Sequence, residues 1–359
     1  MNHHDVAQEI RRWLMETAHS GASDLHLVVG YPPIRREHGE LILTDSEPLT
    51  AETMLGALRS ICAQSEFEKF TQRRNLDFAL ELDGQEHQQR FRVNLFYSGE
   101  QAGACIRVIP AEIPDLQWAN FPIQLANKLA SFRNGLVVFA GVTGSGKTTS
   151  MALMINMLCH AGGLRVVTIE DPIEYRFTQS KSVVTQRELG SDVESFADGL
   201  KYALRQDPDV ILVGEIRDQE TARMALSAAE TGHLVLTTLH TRDAKGAVTR
   251  FVDLFPKQNQ SETCSVLAIG LRAVISQHLL PNIVPGQKRE LALEVMFNSN
   301  PIAAAIRQAR FDSIDNAILT GRKDGMISLD ESIKRLYQEG KISDATAERF
   351  ISDRNLLRR

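Results

Sequence analysis

From residue 135 onward, short apolar runs alternate with longer stretches whose apolar positions recur every three or four residues. Leu136–Ala140, Arg165–Glu170, Val210–Gly214 and His233–His240 are too short for helices, and Leu136–Ala140 and Val210–Val213 are apolar throughout. They predict strands covered on both faces of a parallel sheet. Between them the helical period is clear at Met151, Met154, Ile155 and Leu158, ended by Gly162-Gly163, and again at Val248, Phe251, Val252 and Phe255. This alternation implies a doubly wound α/β sheet with a ligand at the carboxyl ends of its strands.

The first third of the chain follows another pattern. Residues 5–18 and 51–63 suit helices, and Ala22–Val28 begins a strand that Pro32-Pro33 interrupts. Leu76–Leu82, Phe91–Phe96 and Ala104–Ile109 alternate apolar and polar residues, the mark of strands with one face on a core. An α+β domain is expected here. Pro110, Pro114 and Pro122 then read as a linker, with the domain boundary near residue 115. Pro281 and Pro285 mark a second break, and beyond residue 298 the pattern is mostly helical, with Ile327–Tyr337 and Ser343–Phe350 separated by Gly340.

One loop changes this picture from architecture to chemistry. Gly141-Val-Thr-Gly-Ser-Gly-Lys-Thr148 follows a predicted strand and opens a predicted helix, with the G-x-x-x-x-G-K-T spacing of a phosphate-binding loop. Gly141, Gly144 and Gly146 let backbone N–H groups turn inward toward a β-phosphate, with Thr143, Ser145 and Thr149 completing the loop and its entry into the helix. Lys147 reaches the β/γ oxygens and Thr148 offers its hydroxyl to Mg²⁺, so ATP with Mg²⁺ is the expected ligand pair.

Hydrolysis also needs groups that hold the metal and aim a water. Glu215 stands just past the buried strand Val210–Val213, where it can hold Mg²⁺ through water; a core strand ending on a surface glutamate reads the same way. Glu170-Asp-Pro-Ile-Glu174 follows another strand, and Pro172 turns its carboxylates onto a loop at the sheet's carboxyl edge. Glu170 and Glu174 both qualify as the base that takes a proton from the attacking water. His240, ending the strand that His233 begins, reads as a γ-phosphate sensor or a relay to a neighbouring subunit. Their separation is no usual zinc spacing.

Composition narrows the class. The chain has 359 residues, 24% charged and 43% hydrophobic, enough for two domains. No apolar run approaches the roughly 20 residues of a membrane helix, and Met1–Asp5 does not begin a signal peptide. A net charge of −5 without a long basic run argues against nucleic acid as the principal partner. Cys62, Cys105, Cys159 and Cys264 form no C-x-x-C pair, so reduced cysteines in a cytoplasmic protein are expected, not a zinc site.

Together these motifs resemble the PilT branch of the type IV pilus and type II secretion ATPase superfamily. The matching pieces are Ala22-Ser-Asp-Leu-His-Leu27, Arg90-Phe-Arg-Val-Asn94, the phosphate loop, Glu170–Glu174, Leu204–Asp218 and Ala229-Glu-Thr-Gly-His233. Thr238-Leu-His-Thr241, Phe251–Pro256 and Gly325–Asp330 extend the match across nearly the whole chain. The resemblance implies a PAS-like domain over residues 1–111, a linker over 112–122, a RecA-like ATPase domain over 123–297 and a helical C-terminal region over 298–359. It implies a ring of six subunits, acting on an inner-membrane pilus platform protein and reaching the membrane only through that partner. On it, Lys147 and Thr148 are Walker A residues and Glu215 the Walker B acid. Glu174 becomes the favoured base, and His233 and His240 form a His box. Arg92 and Arg107 match arginines that reach the phosphates; by their own pattern they read equally as strand arginines. The expected output is pilus retraction in twitching motility, with a secretion or DNA-uptake ATPase, or a non-hydrolysing regulator of a pilus motor, as alternatives on the same fold.

Overall fold

A computed structural model describes residues 3–37, 40–83, 88–109, 112–177 and 181–358. Pro110 of the expected linker and the first two residues of the N-terminal segment lie outside them. The chain divides into two compact units. The first is Met1–Glu112 together with Glu174–Arg176; the second is Ile113–Ile173 with Phe177–Arg359.

In the first unit β1 (Asp24–Leu27), β2 (Ile34–Glu37), β3 (Glu40–Leu43), β4 (Asn75–Asp83), β5 (Gln88–Ser98) and β6 (Gln101–Ile109) form an antiparallel sheet in the order β3-β2-β1-β6-β5-β4. Successive side chains of a strand point to opposite faces. Phe91, Val93 and Leu95 of β5, with Ala104 and Ile106 of β6, therefore lie on one side, in the core that Ile10, Trp13, Leu14, Met54, Leu58 and Phe70 of the helices complete. Arg90, Arg92 and Asn94 occupy the other side. The expected strands are all present; β2, β3 and the helix Gln64–Arg73 were not expected. β2 and β3 carry no buried residue, and the helix carries one, Phe70, so burial imposes little hydrophobic pattern on any of them.

The second unit is built on β7 (Gly135–Ala140), β8 (Arg165–Glu170), β9 (Val183–Glu188), β10 (Val210–Val213), β11 (Leu234–Leu239), β12 (Leu271–Leu280) and β13 (Glu290–Phe297). Their order is β13-β12-β7-β11-β10-β8-β9, parallel throughout except where β13 runs against β12. The four expected strands, β7, β8, β10 and β11, are adjacent at its centre, and every residue of β7, β10 and β11 is buried. The α/β class read from the sequence is the one observed. Pro281 and Pro285, read as a break, lie in the connection from β12 to β13, where neither has to donate to the ladder. The region beyond residue 298 is helical as expected, and Ile302, Ile306, Ile314 and Ile318 join the same core as the sheet.

Candidate functional site

The carboxyl ends of β7, β8, β10 and β11 carry most of the candidate residues. β7 stops at Ala140, and the next residue, Gly141, has φ +148°. A Cβ there would sit 2.3 Å from Ser145 Oγ and 2.7 Å from the Gln277 carbonyl oxygen, so only glycine fits. Gly144 and Gly146 take φ +77° and +88°, left-handed values that other residues adopt at a cost. The helix Lys147–Ala161 begins directly after Gly146, with no side chain capping it. Its first N–H groups and the positive end of its dipole thus face the loop, the elements of an anion site. The Lys147 ammonium is held inside this loop, donating to the Gly141 oxygen at 2.8 Å and the Val142 oxygen at 3.1 Å.

Glu215 follows β10 by two residues, and its side chain is only 12% exposed. Thr238 Oγ1 donates to the Gly214 oxygen at 2.7 Å and Ile216 N to the Thr238 oxygen at 3.2 Å, which ties this segment to the end of β11. Arg217 pairs with Glu215 Oε1 at 2.5 Å, and His240 Nε2 stands 3.4 Å from Oε2. That second approach lacks hydrogen-bond geometry, leaving Oε2 a buried oxygen without a hydrogen bond. Burial first, and then the charge of Lys147, hold the His240 ring below its usual range, against the opposing pull of Glu215. Lys147, Glu215, Arg217 and His240 therefore form one electrostatic cluster.

A buried carboxylate oxygen with an unused lone pair is donor chemistry suited to a hard divalent cation that keeps most of its waters. Among the described residues no group of three or more His, Cys, Asp or Glu side chains is placed to hold a metal.

The two candidate bases have different surroundings. Glu170 ends β8 almost fully buried, and its Oε1 accepts from Thr168 Oγ1 at 2.6 Å and Gln186 Nε2 at 3.1 Å. Glu174 belongs to the first unit, where its backbone oxygen accepts from Arg90 at 3.1 Å. In the same unit Arg92 and Arg107 face one another across β5 and β6, on the side of the sheet away from the core. Burial works against the charge of Arg107, but the hydrogen bond from its Nε to Asp24 Oδ1 (3.0 Å) and the charge of Asp24 outweigh it, with smaller support from Cys105 and Glu174. The guanidinium is held above its ordinary value.

His233 is not brought to this cluster. It precedes β11, with Nδ1 3.0 Å from the Ala228 oxygen, whereas His240 follows the strand. The strand between them spans roughly 20 Å, so His233 sits at the amino end of the sheet.

Two participants were not assigned a role from the sequence. Arg217 stands two residues after Glu215 in a run whose first three residues have no regular period to betray it. Gln277 lies near the end of β12, fully buried behind the loop, and its Nε2 donates to Ser150 Oγ at 2.9 Å. Recognising it required placing β12 beside β7.

Residues 2–354 match the type II/IV secretion system protein family. The type IV pilus retraction ATPase PilT of Pseudomonas aeruginosa is 38% identical over 339 residues, covering 94% of this chain and 97% of the relative. A twitching motility protein of Neisseria gonorrhoeae is 38% identical over 317 residues, 88% of this chain and 83% of its own. A crystal structure of the pilus retraction motor PilT with bound ADP superposes with a TM-score of 0.84 at 38% identity, covering 96% of this chain and 97% of that one.

Proposed function

The chain belongs to the type II/IV secretion system protein family, and we propose that it is an ATP-hydrolysing motor that retracts a type IV pilus. The carrying observation is the cluster of Lys147, Glu215, Arg217 and His240 at the carboxyl ends of adjacent parallel strands, directly beneath a loop that only glycine permits. Similarity along almost the whole length to a protein named as a pilus retraction ATPase, and to a motor solved with ADP, supports the nucleotide and the output.

In this reading the loop's N–H groups bind the β-phosphate, and Lys147 exchanges the Gly141 and Val142 carbonyls for β/γ oxygens. Thr148 and Glu215 would hold Mg²⁺, which would supply charge neutralisation to the phosphates. Glu174 is the base: as the water oxygen bonds to the γ-phosphorus and the bond to the bridging oxygen breaks, the water's proton passes to its carboxylate. His240, neutral at physiological pH, can donate a hydrogen bond to the γ-phosphate without competing with Lys147 for charge. Arg92 and Arg107 neutralise charge on the departing phosphate, while Glu170, sealed by Thr168 and Gln186, braces the end of β8.

We place residues 123–297 as the motor core and 1–111 as the domain its nucleotide state drives. The working form is a homohexamer at the cytoplasmic face of the inner membrane, engaged through a pilus platform protein. Among the described residues no helix is long and apolar enough to cross a membrane.

The test is ATP turnover of the purified full-length protein beside Lys147→Ala, with native mass recorded on both. A sixfold mass and turnover lost only in the variant are expected. Equal turnover in a folded variant would show that this loop is not the site of hydrolysis.

A further inference from the structure

The three residues Glu174–Arg176 are carried by the first unit although the chain on both sides belongs to the second. Both ends of the excursion are fixed by β9. Ile173 N donates to Glu188 Oε2 at 3.0 Å, and Phe177 N donates to Gln186 Oε1 at 3.1 Å. Gln186 and Glu188 are two apart on one strand, so both point to the same side and grip the loop at its two feet.

What holds the tip is a different set of groups. Arg90 of β5 is 5% exposed, an uncommon setting for a guanidinium. Its Nε donates to Glu81 Oε1 at 2.9 Å, and its Nη1 donates to the backbone oxygen of Glu174 at 3.1 Å. Glu81 Oε1 also approaches Arg176 at 3.5 Å. One carboxylate on β4 thus binds two arginines, one beneath the tip of the loop and one within it. Arg90 and Glu81 are direct cross-strand neighbours, so the guanidinium is held within its own sheet as well as by the loop.

We infer that Arg90, held by Glu81, is the positioning residue for Glu174: it fixes the backbone from which the base projects. The inference rests on the proposed role of Glu174. Its chemistry is plain. A buried guanidinium needs an acceptor on each donor edge, and the Glu174 carbonyl is one of them. The backbone of the base is therefore registered to β5, two residues along the strand from Arg92 on the same face. Loss of this register leaves the phosphate loop intact, so ATP would still bind but be cleaved slowly.

The experiment compares the full-length protein with Arg90→Lys, Glu174→Gln and the double variant, reading kcat and KM for ATP and the affinity for a fluorescent ADP analogue. A lysine keeps the charge but cannot span Glu81 and the Glu174 carbonyl in one plane. A loss of about tenfold or more in kcat is expected, since small misplacements of a catalytic group cost that much, with ADP-analogue affinity unchanged within about twofold. The double variant should be no slower than Glu174→Gln alone, because both changes act through one group. Wild-type kcat in Arg90→Lys, or multiplied losses in the double variant, would overturn the inference. Should Arg90→Lys melt early, Glu81→Ala carries the same test, because Glu81 is 40% exposed and removing its carboxylate leaves both arginines without that acceptor; unchanged kcat there also overturns it. Undiminished turnover in Glu174→Gln is a separate outcome, which removes the base from the proposed function and the inference with it.

Discussion

Glu294 offers a measurement whose sign is fixed by the structure. This β13 residue lies opposite Ser276 of β12, and its Oε1 accepts from Ala244 N, the first residue of the helix Ala244–Asp253 that follows the His240 segment. Burial pushes its carboxyl up to about 7; the Ala244 and Leu329 N–H groups pull it down, and Asp243 and Asp315 add to the rise. In the unfolded chain a glutamate titrates near 4.3–4.5. Between those values the native state holds a proton that the unfolded state has released, so stability is fully present below about 4.5 and falls as pH rises through about 7. Linkage over these two values gives a loss of about 2.5 kcal/mol between pH 5 and 8 from this one group. Glu294→Gln keeps an acceptor for Ala244 N but cannot ionise. Relative to wild type, its melting temperature should therefore rise by roughly 5–10 °C across that interval, taking ~2–4 °C per kcal/mol for a unit of this size. The assay is differential scanning fluorimetry of both proteins at pH 5, 6, 7 and 8. A melting difference that does not change with pH would refute the argument, because a lost contact alone has no reason to follow proton release.

Other outcomes follow from the same coordinates. Gly141→Ala should abolish binding of an ADP analogue, since its Cβ meets Ser145 Oγ at 2.3 Å and the Gln277 backbone at 2.7 Å; retained affinity in a titration would contradict the close approach. His240 titrates below its usual value, so its contribution works opposite to that of Glu294: stability is lost as pH falls below about 6.5. Urea midpoints of His240→Gln should thus fall less between pH 7 and 5.5 than those of wild type, and parallel curves would argue against a ring held below its usual range.

Much of this molecule was legible in the residue order, and the legible parts share a cause. The phosphate loop is made by the backbone of eight consecutive residues, Gly141–Thr148, so its geometry is written locally in glycine positions. The central strands β7, β8, β10 and β11 are short apolar runs because neighbours cover both faces, and that burial leaves a continuous signature. Each of Lys147, Glu170, Glu215 and His240 follows from its place at or just past a strand's carboxyl end. Other features depended on which distant segments meet. Gln277 comes behind the loop only because β12 pairs with β7, its side chain reaching Ser150 across 127 positions of sequence. Arg90 and Glu174 are 84 residues apart, and no local pattern tells that a three-residue excursion will be handed to the other unit. His233 and His240 already stand at the two ends of one strand in the sequence; only the resemblance had joined them. Sequence alone determined the chemistry that backbone conformation and burial can encode over a few residues. The tertiary structure decided which side chains meet around that loop, because their partners are chosen by long-range packing that leaves no period in the chain.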